Sequence, residues 1–127
     1  MIRVAVDPLP SAADLDGLFR AAWGNPAGDY SKILPRSLVH LGADEGDRLV
    51  GFVNVAWDGG KHAFLLDTSV HPDMQRQGLA TRLVKQAAEL AGQRGAEWLH
   101  VDYEPHLAGF YEGCGFRQTG AGLIQLK

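Results

Sequence analysis

Val70-His71-Pro72-Asp73-Met74-Gln75-Arg76-Gln77-Gly78-Leu79-Ala80-Thr81 reads as the end of a strand, a loop, and a helix that begins at a glycine. A helix start exposes backbone N–H groups without partners inside the helix, at the positive end of its dipole. Such a terminus suits a phosphate or pyrophosphate. Gly78 lacks a Cβ, so the backbone can come close to an anion. Ala80 is nearly as small, Thr81 adds a hydroxyl and Arg76 a positive charge. A lone G-x-A would be an ordinary strand-to-helix loop, so its weight depends on its surroundings.

Downstream, Leu79, Ala80, Leu83, Val84, Ala87, Leu90 and Ala91 form an apolar stripe, with Arg82, Lys85, Gln86 and Glu89 on the other side. That periodicity predicts a helix over 79–91, stopped by Gly92 and Gly95. Trp98 to Glu104 then reads as a strand with Leu99, Val101 and Tyr103 on one face. Strand, crossover helix and strand predict a parallel pair joined by a right-handed connection. Pro105 to Gly113 reads as a short helix opened by proline. Phe116 to Leu126 closes the chain with two short strands around Gly120-Ala121-Gly122.

Upstream, Asp47 to Lys61 is the clearest strand-and-turn signal. Leu49, Val53, Val55 and Trp57 alternate with Val50, Phe52 and Ala56, which predicts a strand covered on both faces. Asp58-Gly59-Gly60-Lys61 is a hairpin turn, and His62 to Val70 returns antiparallel. Nearer the start, Ile2 to Val6 reads as a strand. Ser11 caps a helix that buries Leu15, Leu18, Phe19 and Ala22 and stops at Gly24-Asn25-Pro26. Ser31 to Leu38 reads as a second short helix interrupted by Pro35. The order β-α-α-β-β-β-α-β-α-β-β is of the α/β (α+β) class: a mixed sheet with helices on its faces, in a single domain over 1–127.

Composition agrees with one core. Of 127 residues, 46% are apolar and 21% charged, which excludes a disordered or coiled-coil chain. The net charge of -3 offers no counterion-releasing surface for nucleic acid. A single cysteine, Cys114, excludes an internal disulfide and a multi-cysteine zinc site. His62 and His71 read as turn or surface residues, and His100 with His106 has no metal-ligand spacing, so no metal is expected. No apolar run is long enough to span a membrane, and the start carries no signal-length run. A cytoplasmic location is the default expectation.

Three segments together resemble the GNAT superfamily of acyl-CoA-dependent N-acyltransferases. Gln75-x-x-Gly78-x-Ala80 matches its [R/Q]-x-x-G-x-[G/A] loop. Leu66-Asp67-Thr68-Ser69-Val70-His71-Pro72 is similar to the strand before that loop, and Phe110-Tyr111-Glu112-Gly113-Cys114-Gly115-Phe116 to the family's F-Y-x-x-x-G-F segment. The likeness covers about Asp47 to Phe116, and the first forty residues in element order only. It implies a GNAT-like mixed sheet with helices on both faces and splayed parallel central strands. A splayed pair leaves backbone groups unpaired, to which an extended ligand can add as a strand does.

The resemblance further implies acetyl-CoA as co-substrate and direct N-acetyl transfer to an amine. The backbone of Thr68, Ser69 and Val70 would hold the pantetheine arm, with the Val70 N–H as donor to the thioester carbonyl. Gln75, Arg76, Gln77, Gly78, Leu79, Ala80 and Thr81 would wrap the pyrophosphate. Tyr111 would sit near the sulfur as general acid; a phenol of pKa about 10 is protonated at neutral pH. Where many members carry Asn and Ala upstream of that tyrosine, this chain has Glu104 and Leu107, which puts a side-chain amide contact to the ligand in doubt.

An attacking amine must shed a proton. Asp67, Asp102, His100 and Glu104 are within reach of the expected acyl site, with Glu104 and Asp67 ranked first. Trp23, Tyr30, Trp57 and Asp58 are candidates for an acceptor pocket, Trp23 being read rather as a packing residue. Cys114 also reads as packing, not as an acyl carrier. The acceptor is an amine on a small molecule or a protein, and the terminal strands leave an edge that a second copy can cover, as in a homodimer. The alternative from another class is a CoA-binding module without catalysis, which would keep the loop but tolerate loss of Tyr111.

Overall fold

In the computed structural model, which describes residues 1–127, five strands stand side by side in chain order. They are β1 (Ile2–Val6), β2 (Ser37–Glu45), β3 (Arg48–Trp57), β4 (His62–Val70) and β5 (Trp98–Val101). β1 to β4 pair antiparallel, and β5 runs parallel to β4. The crossover between β4 and β5 is α2 (Leu79–Gln93). Its Leu79, Leu83, Val84, Ala87 and Ala91 bury against Val39, Leu41, Val53, Val55 and Leu65 of the sheet. On the opposite face, α1 (Ala12–Trp23) packs Leu15, Leu18 and Phe19 with Tyr30, Leu49 and Phe52.

The local signals behind these elements act as expected. Ser11 Oγ accepts from the Asp14 N–H at 3.1 Å, capping α1. Gly24, at φ 86°, ends it in the left-handed region that glycine tolerates. In the β3–β4 turn Gly59 takes φ 84°, while Asp58 Oδ1 accepts from the Gly60 N–H at 2.7 Å.

Several expectations are corrected. Ser31 to Leu38 is not a helix: only Leu34–Arg36 makes a 3-10 turn, and β2 begins at Ser37. Pro35 permits one turn, and the chain from Val39 to Ala43 then gains partners on two edges and cover on two faces. Leu49 does not share a face with Val53. The β2–β3 register advances one residue on β2 for two on β3 at Leu49–Gly51, a bulge that turns Leu49 toward α1 with Phe52. Gly92 lies inside α2, and the left-handed exit is Gly95 at φ 112°.

β5 stops at Val101, so Asp102, Tyr103 and Glu104 are not in a strand. Its pairing with β4 covers only His62–Leu65 against Trp98–Val101. The parallel pair does splay, but at the edge of the sheet and not at its centre. Pro105–Leu107 forms a 3-10 turn leading into α3 (Ala108–Gly113). No strand forms between Phe116 and Leu126; Leu123 and Ile124 there are 82% and 85% exposed. The terminal strands invoked for a homodimer are absent. The sheet's unpaired edges belong to β1 and β5.

Candidate active site

Where β4 outruns β5, an open cleft of about 1650 Å³ begins, walled by Trp23, Asp67, Thr68, Asp102, Glu104 and Tyr111 among others. Its shape follows from the register. Phe52 pairs with Ser69 but Asn54 with Leu66, so β4 carries an extra residue at Asp67–Thr68. Asp67 takes φ 60°, the left-handed conformation that Asp accepts more readily than most residues. Beyond this bulge the His71 N–H donates to Val50 O at 2.8 Å. Because antiparallel strands turn alternate residues to alternate edges, the Val70 N–H faces away from β3, toward the side where β5 has ended. Val70 O, on that side, accepts from Gln75 Nε2 at 3.3 Å.

Tyr111 reaches the cleft from α3 and is 7% exposed. Its ring stacks on Tyr103 at 5.0 Å and meets Phe110 and Phe116 edge-on. Burial pushes its phenol up, and the nearby Thr68 side chain opposes this without cancelling it. A raised phenol pKa keeps the proton on the oxygen, as a general acid needs. Glu104 stands at the mouth, its Oε2 3.6 Å from His106 Nδ1. Asp67 faces the buried Tyr30 hydroxyl; burial and that carboxylate together raise the Tyr30 pKa.

The loop before α2 forms a second part, outside the cleft's walls. Arg76 and Gly78 take φ 64° and 80°, and left-handed residues in a loop turn successive N–H groups outward into an anion-binding concavity. A Cβ on Gly78 would meet nothing within 4 Å, so the space before the helix start is open. These donors fit a diphosphate. Gln75 and Gln77 brace the loop itself, the latter donating from Nε2 to Asp73 O at 3.4 Å. The Leu79 side chain is buried in the core, which leaves only its backbone to a ligand. The Cys114 thiol lies near Thr81, and burial pushes it up and away from thiolate.

The fold thus brings Asp67, Thr68, Glu104 and Tyr111 around one opening, sets the Val70 N–H on the free edge of the same strand, and gathers Gln75 to Thr81 onto one loop. It does not bring Trp57 and Asp58 there: they belong to the β3–β4 turn, where Trp57 Nε1 donates to Gly60 O at 2.8 Å. Trp23 is not a packing residue. Its ring is 60% exposed in the cleft wall, and its Nε1–H donates to Ser69 Oγ at 2.8 Å. The Thr68–Tyr111 and Trp23–Ser69 contacts have no local sequence signal, because each joins residues from separate elements.

The sequence model described as the acetyltransferase (GNAT) family matches residues 11–116. An uncharacterized N-acetyltransferase of Pyropia yezoensis is 32% identical over 80 residues, which are 63% of this chain and 46% of that protein. The chain therefore matches about half the length of that curated relative. A GNAT-family acetyltransferase from Streptococcus pneumoniae superposes with TM-score 0.81 at 27% identity, over 100% of both chains. A protein of unknown function from meticillin-resistant Staphylococcus aureus has the same fold, with TM-score 0.86 at 22% identity over 100% of this chain and 99% of that one.

Proposed function

The chain belongs to the acetyltransferase (GNAT) family, and on that premise we propose that it transfers an acetyl group from acetyl-CoA directly to a primary amine. The observation that carries this reading is the early end of the β4–β5 ladder at Leu65 and Val101. It leaves the edge of Leu66–Val70 without a partner strand beside the buried phenol of Tyr111.

Each part of the chain then has a task. The loop Gln75–Thr81, open in front of Gly78, holds the diphosphate with backbone N–H groups. Thr68, Ser69 and Val70 lie along the arm that carries the sulfur, and the Val70 N–H points to the thioester carbonyl. A donor placed where negative charge develops is worth about 3 kcal/mol of barrier. The amine nitrogen forms its bond to the acyl carbon as the carbon–sulfur bond breaks. Tyr111 gives its proton to the departing thiolate, and the amine's proton leaves to Glu104 or Asp67 in the wall. Both carboxylates, with Asp102, favour a cationic acceptor at the mouth.

The test is thiol release from acetyl-CoA across a panel of amines: a lysine peptide, a peptide N-terminus, a polyamine and an amino sugar. Turnover on at least one is expected, with Tyr111→Phe slower by about a hundredfold, the usual scale of general-acid catalysis. Glu104→Gln and Asp67→Asn separate the two candidate bases. Tight CoA binding without turnover on any amine would instead favour a CoA-binding module.

A further inference from the structure

Trp23 ends α1 with its indole reaching across to β4. The Nε1–H donates to Ser69 Oγ at 2.8 Å, and Ser69 Oγ donates onward to Asp67 O at 3.0 Å. The direction is fixed by chemistry. An indole nitrogen can only donate, so the serine oxygen accepts, and its one proton goes to the carbonyl. Ser69 is 1% exposed, so water does not compete for either bond. The chain ends at the left-handed residue where the β3–β4 register slips. A bulge interrupts its own ladder, so its shape must be held from elsewhere. α1 therefore holds the bulge by its carbonyl.

We propose that Trp23 is a positioning residue: through Ser69 it holds the Asp67 bulge, and with it the direction of the Val70 N–H, in the geometry that acetyl transfer uses. This rests on the transferase reading. Trp23 makes no contact with the reacting atoms; its effect reaches them through two hydrogen bonds and three residues of β4. A donor aimed at developing charge acts mainly in the transition state, so losing its aim lowers kcat more than it weakens CoA binding.

The experiment uses the full chain with Trp23→Phe, which keeps a ring and removes the donor, Ser69→Ala, which removes the relay, and the double variant. In each single variant kcat is expected to fall by about tenfold to a hundredfold, the scale of an ångström-level misplacement. The Kd for CoA by calorimetry stays within about threefold. The double variant is no worse than the poorer single one, because both cut the same chain. Amide hydrogen exchange at Ser69 and His71, whose N–H groups face β3 on either side of Val70, rises about tenfold without CoA, reporting a loosened bulge. An unchanged kcat in Trp23→Phe, or unchanged exchange at those amides, overturns the proposal. Should Ser69→Ala fail to fold, Trp23→Phe at its exposed position decides alone. If the unaltered protein acetylates no amine, the catalytic role falls with the transferase reading, and the exchange measurement separately decides whether Trp23 holds the bulge.

Discussion

Tyr111 and Gly78 carry the sharpest residue-scale expectations. Burial raises the Tyr111 phenol, and the nearby Thr68 side chain only partly offsets it. The acid form therefore persists to above the ordinary phenol pKa of about 10. A kcat profile should show no alkaline fall below about pH 10 that Tyr111→Phe removes; one centred between 8 and 9 and absent from that variant would exclude Tyr111 as the raised acid. Gly78 stands at φ 80° with open space before it. A β-branched Val there meets left-handed strain of about 1–2 kcal/mol and places methyl groups where a diphosphate would lie. Calorimetry of Gly78→Val should show CoA affinity lowered by at least about tenfold. The Gln-x-x-Gly-x-Ala loop was readable because its function lies in consecutive backbone N–H groups. The left-handed Asp67 was not readable, because nothing in Leu66-Asp67-Thr68 records which residue of β3 it will face.

Among the elements, α2 both covers the sheet and begins at the anion loop, so its seating bears on stability and on binding. Gly51 on β3 is the closest point of approach. A Cβ there would lie 3.0 Å from Leu83 Cδ1 and 3.2 Å from both Ala43 Cβ and Leu79 Cδ2. Gly51→Ala should destabilise by about 1–3 kcal/mol, as overpacking does. Since Leu79 follows Gly78, it should also weaken CoA binding; denaturant melts and calorimetry measure the two effects. Leu83→Ala leaves a cavity in a fully buried place and should cost about 2–5 kcal/mol by the same melts. Helical spacing identified the α2 stripe directly. β2 escaped it because residues 39–43 are buried on both faces, so neither alternation nor helical spacing marks them.

Over the whole molecule, the first strand is tied to the far end of α2 through one titratable knot. Asp7 accepts from the His40 N–H at 3.0 Å and from Arg94 Nη1 at 2.7 Å. Arg94 also donates to Leu38 O at 2.9 Å. His40 is 2% exposed, its Nε2 accepting from the Leu9 N–H at 3.0 Å. Burial pushes the His40 pKa down, the Asp7 carboxylate opposes, and Arg94 adds to the lowering. A folded pKa below the unfolded 6.5 means that neutral His40 contributes stability that is full above pH 6.5 and is lost as pH falls through the folded value. For Asp7, burial acts upward but is outweighed by the bonds from His40 and Arg94, so its net shift is downward. That contribution is lost only further down, below the ordinary 3.8. The melting temperature should therefore drop between pH 7 and pH 5, and His40→Gln should flatten the curve there. An equal slope in both proteins would remove His40 from this account.

The sequence by itself determined the loop that can grip a diphosphate, the amphipathic α2, the hairpin and the presence of a phenol on the short helix after the proline, because each depends on neighbours within a few residues along the chain. Only the tertiary structure decided the bulge at Asp67, the early end of β5, the Trp23–Ser69–Asp67 relay and the unpaired terminal segment. Those depend on which residues stand opposite one another across strands, and register is set by packing on two faces at once.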